Sequence, residues 1–161
     1  MIAEAVRLLR ERGETFATAE SLTGGLVAAT AVEIPGVSAV FRGGLVVYAT
    51  DLKHALAGVS EDLLAERGPV DPDVALALAA GARQRCGADW GLATTGVAGP
   101  EPQDGKPVGM VYVAVAGPPG ATVRELRLDG SRAEIRGASV AAVFELLTTR
   151  LQAAGPVTGL S

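Results

Sequence analysis

Thr15-Phe16-Ala17-Thr18-Ala19-Glu20-Ser21-Leu22-Thr23-Gly24-Gly25 is the stretch on which the reading of this chain turns. Its first part, Thr15–Ala19, is short, apolar and partly β-branched, the composition of a strand. Its second part is polar and ends in paired glycines, and the run from Gly24 to Val32 reads as a buried helix that stops near Pro35-Gly36. Strand, glycine turn and helix in succession form the repeating unit of α/β folds, where ligands gather at strand ends. The backbone N–H groups of Thr23, Gly24 and Gly25 are therefore expected to offer an anion or oxyanion site, with Ser21 as nucleophile or phosphate contact. On local sequence alone, Ser21 or Thr23 could equally well cap the helix.

The same alternation continues on both sides. Ile2, Val6 and Leu9 fall at helical spacing before Gly13, which predicts an opening amphipathic helix over residues 2–12. Gly43-Gly44-Leu45-Val46-Val47-Tyr48 is a continuous apolar run suited to an inner strand, and Thr50-Asp51 offer caps for a helix over Leu52–Ala57. Ser60 caps a helix to Arg67, and Asp71-Pro72 opens another that runs to Cys86 and stops at Gly87. Trp90–Thr95, Gly109–Ala116 and Thr122–Leu128 read as strands, the last two antiparallel across Gly117-Pro118-Pro119-Gly120. A final helix is expected from about Ser131 to Leu151. The order predicts a single-domain three-layer α/β/α sandwich with a mixed, mostly parallel sheet of about five strands, spanning residues 1–154, with 155–161 as a weakly ordered tail.

Composition narrows the chemistry. The 161 residues are one domain's worth of chain, and 48% apolar with 20% charged residues is ordinary for a packed globular domain. A net charge of −4 without a basic stripe argues against a nucleic-acid partner. With Cys86 and His54 as the single residues of their types, neither a disulfide nor a Cys/His zinc site can form within one chain, so Cys86 is expected as a small buried hydrophobe and His54 at the surface. Glu20, Asp51, Glu101 and Asp104 would have to converge for a hard cation to bind, and no metal is expected. Met1–Arg12 has no signal-peptide apolar core, and the longest uncharged stretch, Pro107–Val123, is broken by Gly-Pro-Pro-Gly, so no membrane association and a cytoplasmic location are expected.

Two further polar sequences also fall at strand ends, and a third opens the last helix. Tyr48 ends one apolar strand and Lys53 follows five residues on. A serine with no histidine partner needs another base, and a lysine or tyrosinate of lowered pKa can serve. Thr94-Thr95-Gly96-Val97-Ala98-Gly99-Pro100 is a strand running into a glycine loop that backbone and ligand can approach closely. Gly130-Ser131-Arg132 puts a cation at a helix start against the dipole, which suggests an anionic partner. None of these loops has Walker spacing, and the lysine spacing and missing glycine fingerprint exclude a short-chain dehydrogenase. Each alone has a plain reading as cap, packing residue, solvated lysine or ordinary turn.

Together the motifs resemble the CinA C-terminal domain family, the nicotinamide-nucleotide amidases that convert nicotinamide mononucleotide to the nicotinate form and ammonia. The resemblance covers about residues 4–151 and rests on Ala19-Glu20-Ser21 with Thr23-Gly24-Gly25, Gly43-Gly44 through Tyr48 to Lys53, Thr95 to Pro100, Lys106-Pro107-Val108-Gly109, and Gly130-Ser131-Arg132 with Ile135-Arg136. It implies Ser21 as nucleophile, Tyr48 and Lys53 as its catalytic partners, and Thr23, Gly24, Gly25, Thr95, Gly96 and Arg132 around the substrate. It further implies a small-molecule pyridine nucleotide as partner, no cofactor and a homodimer. Leu22 stands where the family commonly has cysteine, and Glu101-Pro102-Gln103-Asp104 stands for a glycine-rich stretch, placing acidic charge near a site expected to take a phosphorylated substrate. The family also occurs behind a larger N-terminal nucleotide-hydrolysing domain, for which these 161 residues show no counterpart. The expected reaction is attack of Ser21 on the carboxamide, with Lys53 and Tyr48 moving the proton and backbone N–H groups of the Thr23–Gly25 turn or the Gly96 loop holding the oxyanion. The rival expectation is a non-catalytic nucleotide-binding or regulatory module that keeps the pocket.

Overall fold

The computed structural model describes residues 1–156, so most of the expected tail, 157–161, lies outside the described residues. The elements run α1 (Ile2–Arg12), β1 (Phe16–Glu20), α2 (Leu26–Ala31), a 3-10 turn (Val37–Ala39), β2 (Phe41–Val46), α3 (Thr50–Ala55), α4 (Glu61–Arg67), α5 (Pro72–Arg85), β3 (Trp90–Gly96), β4 (Met110–Gly117), β5 (Gly120–Arg127) and α6 (Arg132–Ala153). The five strands form one mixed sheet in the order β2-β1-β3-β4-β5. β1 pairs parallel with both β2 and β3, whereas β3–β4 and β4–β5 are antiparallel, the last as the Gly-Pro-Pro-Gly turn required.

Period-two alternation along the strands sends side chains to two separate cores. On one face Phe16, Leu92, Val111, Val113 and Val115 pack with Val6 and Leu9 of α1, Val27 of α2 and Phe144 and Leu147 of α6. On the other, Ala17, Ala19, Ala93, Ala114 and Ala116 meet Val74, Leu78, Ala79 and Ala82 of α5. The small residues on this second face let α5 approach closely: a Cβ on Gly91 would lie 1.9 Å from the Ala79 carbonyl oxygen. Helices thus cover both faces, giving the expected three-layer sandwich.

Three local expectations need correction. β2 is an edge strand whose residues alternate between half-buried and exposed, not an inner strand, because β1 is its single neighbour and α5 lies over β1, β3 and β4 instead. The helix after it starts at Thr50 with Ala49 as an N-cap lacking a side-chain bond, so Thr50 and Asp51 are not its caps. Tertiary burial of Lys53 holds this short helix in place. β1 extends one residue further than expected, taking Glu20 into the strand. The caps at Ser60 and Asp71 form as expected, and Ser131 caps α6 with Glu134 as a reciprocal capping box, a feature that the sequence reading did not name. No helix among the described residues is long and apolar enough to cross a membrane.

Candidate active site

Strands β2, β1 and β3 are parallel, so their C-terminal ends open on the same edge of the sheet, and β1 lies between the other two. Pairing continues one step past the strand ends: the Ser21 N–H donates to the Thr94 carbonyl at 3.0 Å, and the Val47 N–H to the Glu20 carbonyl at 2.8 Å. This fixes Ser21 at the floor of a cleft of about 250 Å³ bounded by Tyr48 and Lys53 on the β2 side and by Gly96 to Gln103 and Arg132 on the β3 side.

Lys53 is the single buried residue of α3, and only 1% of it is exposed. Its Nζ donates to Ser21 Oγ at 2.9 Å, to the Val47 carbonyl at 2.8 Å and to the Tyr48 carbonyl at 3.2 Å. No carboxylate pairs with it among the described residues. Loss of water around an unpaired ammonium favours the neutral amine, and burial lowers the Lys53 pKa to about 8. A neutral amine has two N–H donors and one lone pair. With the Val47 and Tyr48 carbonyls taking the two donors, the lone pair faces Ser21 Oγ.

The Tyr48 side chain goes elsewhere. It is 55% exposed, and its hydroxyl accepts from Arg132 Nη2 at 3.1 Å, so the residue reaches Lys53 through its main-chain carbonyl and not through the phenol. Arg132 also donates through Nη1 to the Gly99 carbonyl, which ties the start of α6 to the β3 loop. Among the described residues no carboxylate is the anionic partner expected for this guanidinium: both of its bonds go to neutral oxygens, so its positive charge is left for the cleft.

The glycine turn after Ser21 differs from expectation. The Glu20 carboxylate, 1% exposed, accepts from the Val27 N–H at 2.7 Å and the Ala28 N–H at 3.1 Å, and from the Thr23 hydroxyl at 2.6 Å. The start of α2 is therefore occupied by the protein's own anion, whose bonds go to N–H and O–H donors of the turn and the helix. Gly25 is the N-cap of α2 with no side-chain bond, so neither Ser21 nor Thr23 caps it. Thr23, Gly24 and Gly25 do not line the cleft, and the Gly24 N–H is spent on the Ser21 carbonyl at 3.0 Å. The N–H groups of Leu22 and Thr23 have no protein acceptor among the described residues. Thr95 and Gly96 do line the cleft, but the Thr95 hydroxyl donates to the Pro69 carbonyl at 2.6 Å, and a Cβ on Gly96 would meet the Met110 carbonyl oxygen at 2.7 Å. The glycine is thus demanded by β4 packing.

Sequence reading missed three contributions. Pro69 and Val70 form part of the cleft wall, which only the α4–α5 connection reveals. Glu20 shapes the turn from inside. Arg136, one helical turn after Arg132, donates from Nε to the Leu22 carbonyl at 3.0 Å and from Nη2 to the Thr23 carbonyl at 2.8 Å. The i, i+4 spacing of the two arginines was the available signal. His54 lies outside the cleft, with Nδ1 2.8 Å from the Val59 carbonyl oxygen and Nε2 2.9 Å from Glu61. Cys86 is half-buried, and burial raises its thiol pKa.

Comparison with known proteins agrees with this architecture. A CinA-like protein of Frankia casuarinae is 51% identical over 144 residues, covering 89% of this chain and 33% of its own length. A CinA-like protein of Geobacter sulfurreducens is 48% identical over 146 residues, covering 90% and 35%. The chain thus spans about a third of the length of these curated relatives. Among solved structures, the competence/damage inducible protein CihA of Agrobacterium tumefaciens superposes with a TM-score of 0.85 at 39% identity, covering 94% of this chain and 95% of that one. A competence-damaged protein (CinA) superfamily protein of Klebsiella pneumoniae gives 0.91 at 27% identity, with 94% and 96% covered. The sequence profile of the CinA C-terminal domain matches residues 1–151, and the chain belongs to that family.

Proposed function

We propose that the protein is a nicotinamide-nucleotide amidase that hydrolyses the carboxamide of nicotinamide mononucleotide to nicotinate mononucleotide and ammonia. The observation that carries the proposal is the 2.9 Å approach of Lys53 Nζ to Ser21 Oγ inside the cleft, with the amine unpaired and desolvated. Ser21 Oγ attacks the carboxamide carbon while its proton passes to Lys53 Nζ. The oxyanion that forms is held by backbone N–H groups, that of Leu22 on the cleft wall being unclaimed. Lys53 then protonates the departing nitrogen, the C–N bond breaks and ammonia leaves. Water attacks the acyl ester, gives its proton to Lys53, and the acid departs as Ser21 recovers its proton. No step calls for a metal or cofactor.

Arg132 supports the nucleotide part of the reading, because its uncompensated guanidinium faces the same cleft and suits a phosphate. Tyr48, held against Arg132, belongs to this binding end, while proton transfer falls to Lys53. The test is ammonia release from nicotinamide mononucleotide by the purified protein, with nicotinate mononucleotide identified as co-product. Binding without ammonia release would support the non-catalytic module instead.

A further inference from the structure

We infer that Arg136 is a positioning residue that builds the oxyanion hole from outside the cleft, an inference that rests on the serine reading above. Ser21 and Leu22 line the cleft and Arg136 does not, yet its guanidinium grips the next two carbonyls of the turn, those of Leu22 and Thr23, at 3.0 and 2.8 Å. In a trans peptide the C=O of one residue and the N–H of the next point in opposite directions. Holding the Thr23 carbonyl toward Arg136 therefore sets the direction of the Gly24 N–H, which donates to the Ser21 carbonyl. The neighbouring peptide is held the same way: the Ser21 carbonyl accepts from the Gly24 N–H, which sets the direction of the Leu22 N–H. The Leu22 N–H, on a residue that lines the cleft beside the nucleophile, has no protein acceptor among the described residues.

The contact also changes how strongly the group donates. A charge-assisted bond to a carbonyl polarises its peptide, and the N–H on the other end becomes a better donor. Such a contribution matters most when negative charge develops on the substrate oxygen, so it belongs to the transition state and not to substrate binding. Arg136 has no carboxylate partner among the described residues, and both of its bonds go to this turn. Its counterpart on the other side is the Glu20 carboxylate, which holds Thr23, Val27 and Ala28.

The experiment compares wild type, Arg136→Ala and Arg136→Lys by steady-state kinetics on nicotinamide mononucleotide across pH, with folding followed by circular dichroism. The expected result for Arg136→Ala is a fall in kcat of about 10- to 100-fold with KM and the pH midpoint unchanged, partly restored by millimolar guanidinium. Arg136→Lys, which keeps the charge but cannot span both carbonyls, falls between the two and carries the test if the alanine variant does not fold. A kcat within about twofold of wild type, a KM rise at constant kcat, or a moved pH midpoint would overturn the inference. If wild type releases no ammonia from the mononucleotide, the functional reading fails by itself. The rate of acetyl transfer from 4-nitrophenyl acetate to Ser21, followed by nitrophenolate release and mass spectrometry, then decides the role of Arg136. Equal rates in wild type and variants refute it, and a fall of about tenfold or more upholds it.

Discussion

Arg132 Nη2 donates to the Tyr48 hydroxyl across 3.1 Å, which separates the phenol from the amine five residues further along the chain. The catalytic neighbourhood is thereby divided: Lys53 faces Ser21, and Tyr48 faces the guanidinium. Removing the phenolic oxygen leaves the Ser21–Lys53 contact intact. Tyr48→Phe is therefore expected to hold kcat within about threefold while raising KM, whereas Arg132→Ala raises KM for nicotinamide mononucleotide at least about tenfold. The arginine penalty should vanish for nicotinamide riboside, which carries no phosphate. A large kcat loss in Tyr48→Phe, measured on both substrates, would return the phenol to proton transfer.

Ser21→Ala is expected to abolish turnover and to change stability by about 1 kcal/mol or less, because the hydroxyl caps no helix and makes one bond, to Lys53. Thermal melts alongside ammonia assays separate the two effects. Wild-type turnover in a variant of unchanged stability would exclude the covalent route.

The pH dependence follows from Lys53. The amine must be neutral to accept the Ser21 proton, so kcat/KM should rise with pH to a plateau with a midpoint near about 8. Lys53→Met loses most activity at every pH, and Lys53→Arg does not restore it, since guanidinium stays protonated. Stability should move the same way. The folded pKa is lowered, so the unfolded chain holds more protons between about 8 and 10.5, and stability rises with pH across that window by on the order of 3 kcal/mol. Lys53→Met should flatten the rise, as urea titrations from pH 7 to pH 11 would show.

Glu20→Ala leaves the buried Val27 N–H and the half-buried Ala28 N–H without an acceptor, and the Thr23 hydroxyl without one of its partners. A loss of about 3–5 kcal/mol is expected, together with loss of activity as the turn beside Ser21 relaxes. Glu20→Gln keeps one acceptor oxygen and should fall between alanine and wild type. Denaturant melts that show a smaller loss in alanine than in glutamine would contradict this account of the turn.

Order and type of elements were readable from the chain because they depend on neighbours in sequence. Asp71-Pro72 starts a helix wherever it occurs with an apolar run behind it, and Gly117-Pro118-Pro119-Gly120 forces a tight reversal. Ser21, Tyr48, Lys53, Thr95, Gly96 and Arg132 were likewise legible as polar groups at element ends, and all six line one cleft. What each one does there was not legible. Whether Gly43 to Tyr48 lies inside the sheet or at its edge depends on which strands and helices flank it, and an apolar run reads the same in both places. Whether the α2 N-terminus is open to a ligand depends on where the Glu20 carboxylate turns. Lys53 could be a solvated surface lysine by its sequence; burial against two main-chain carbonyls and Ser21 makes it a base, because desolvation and bond direction are properties of three-dimensional surroundings and no spacing encodes them.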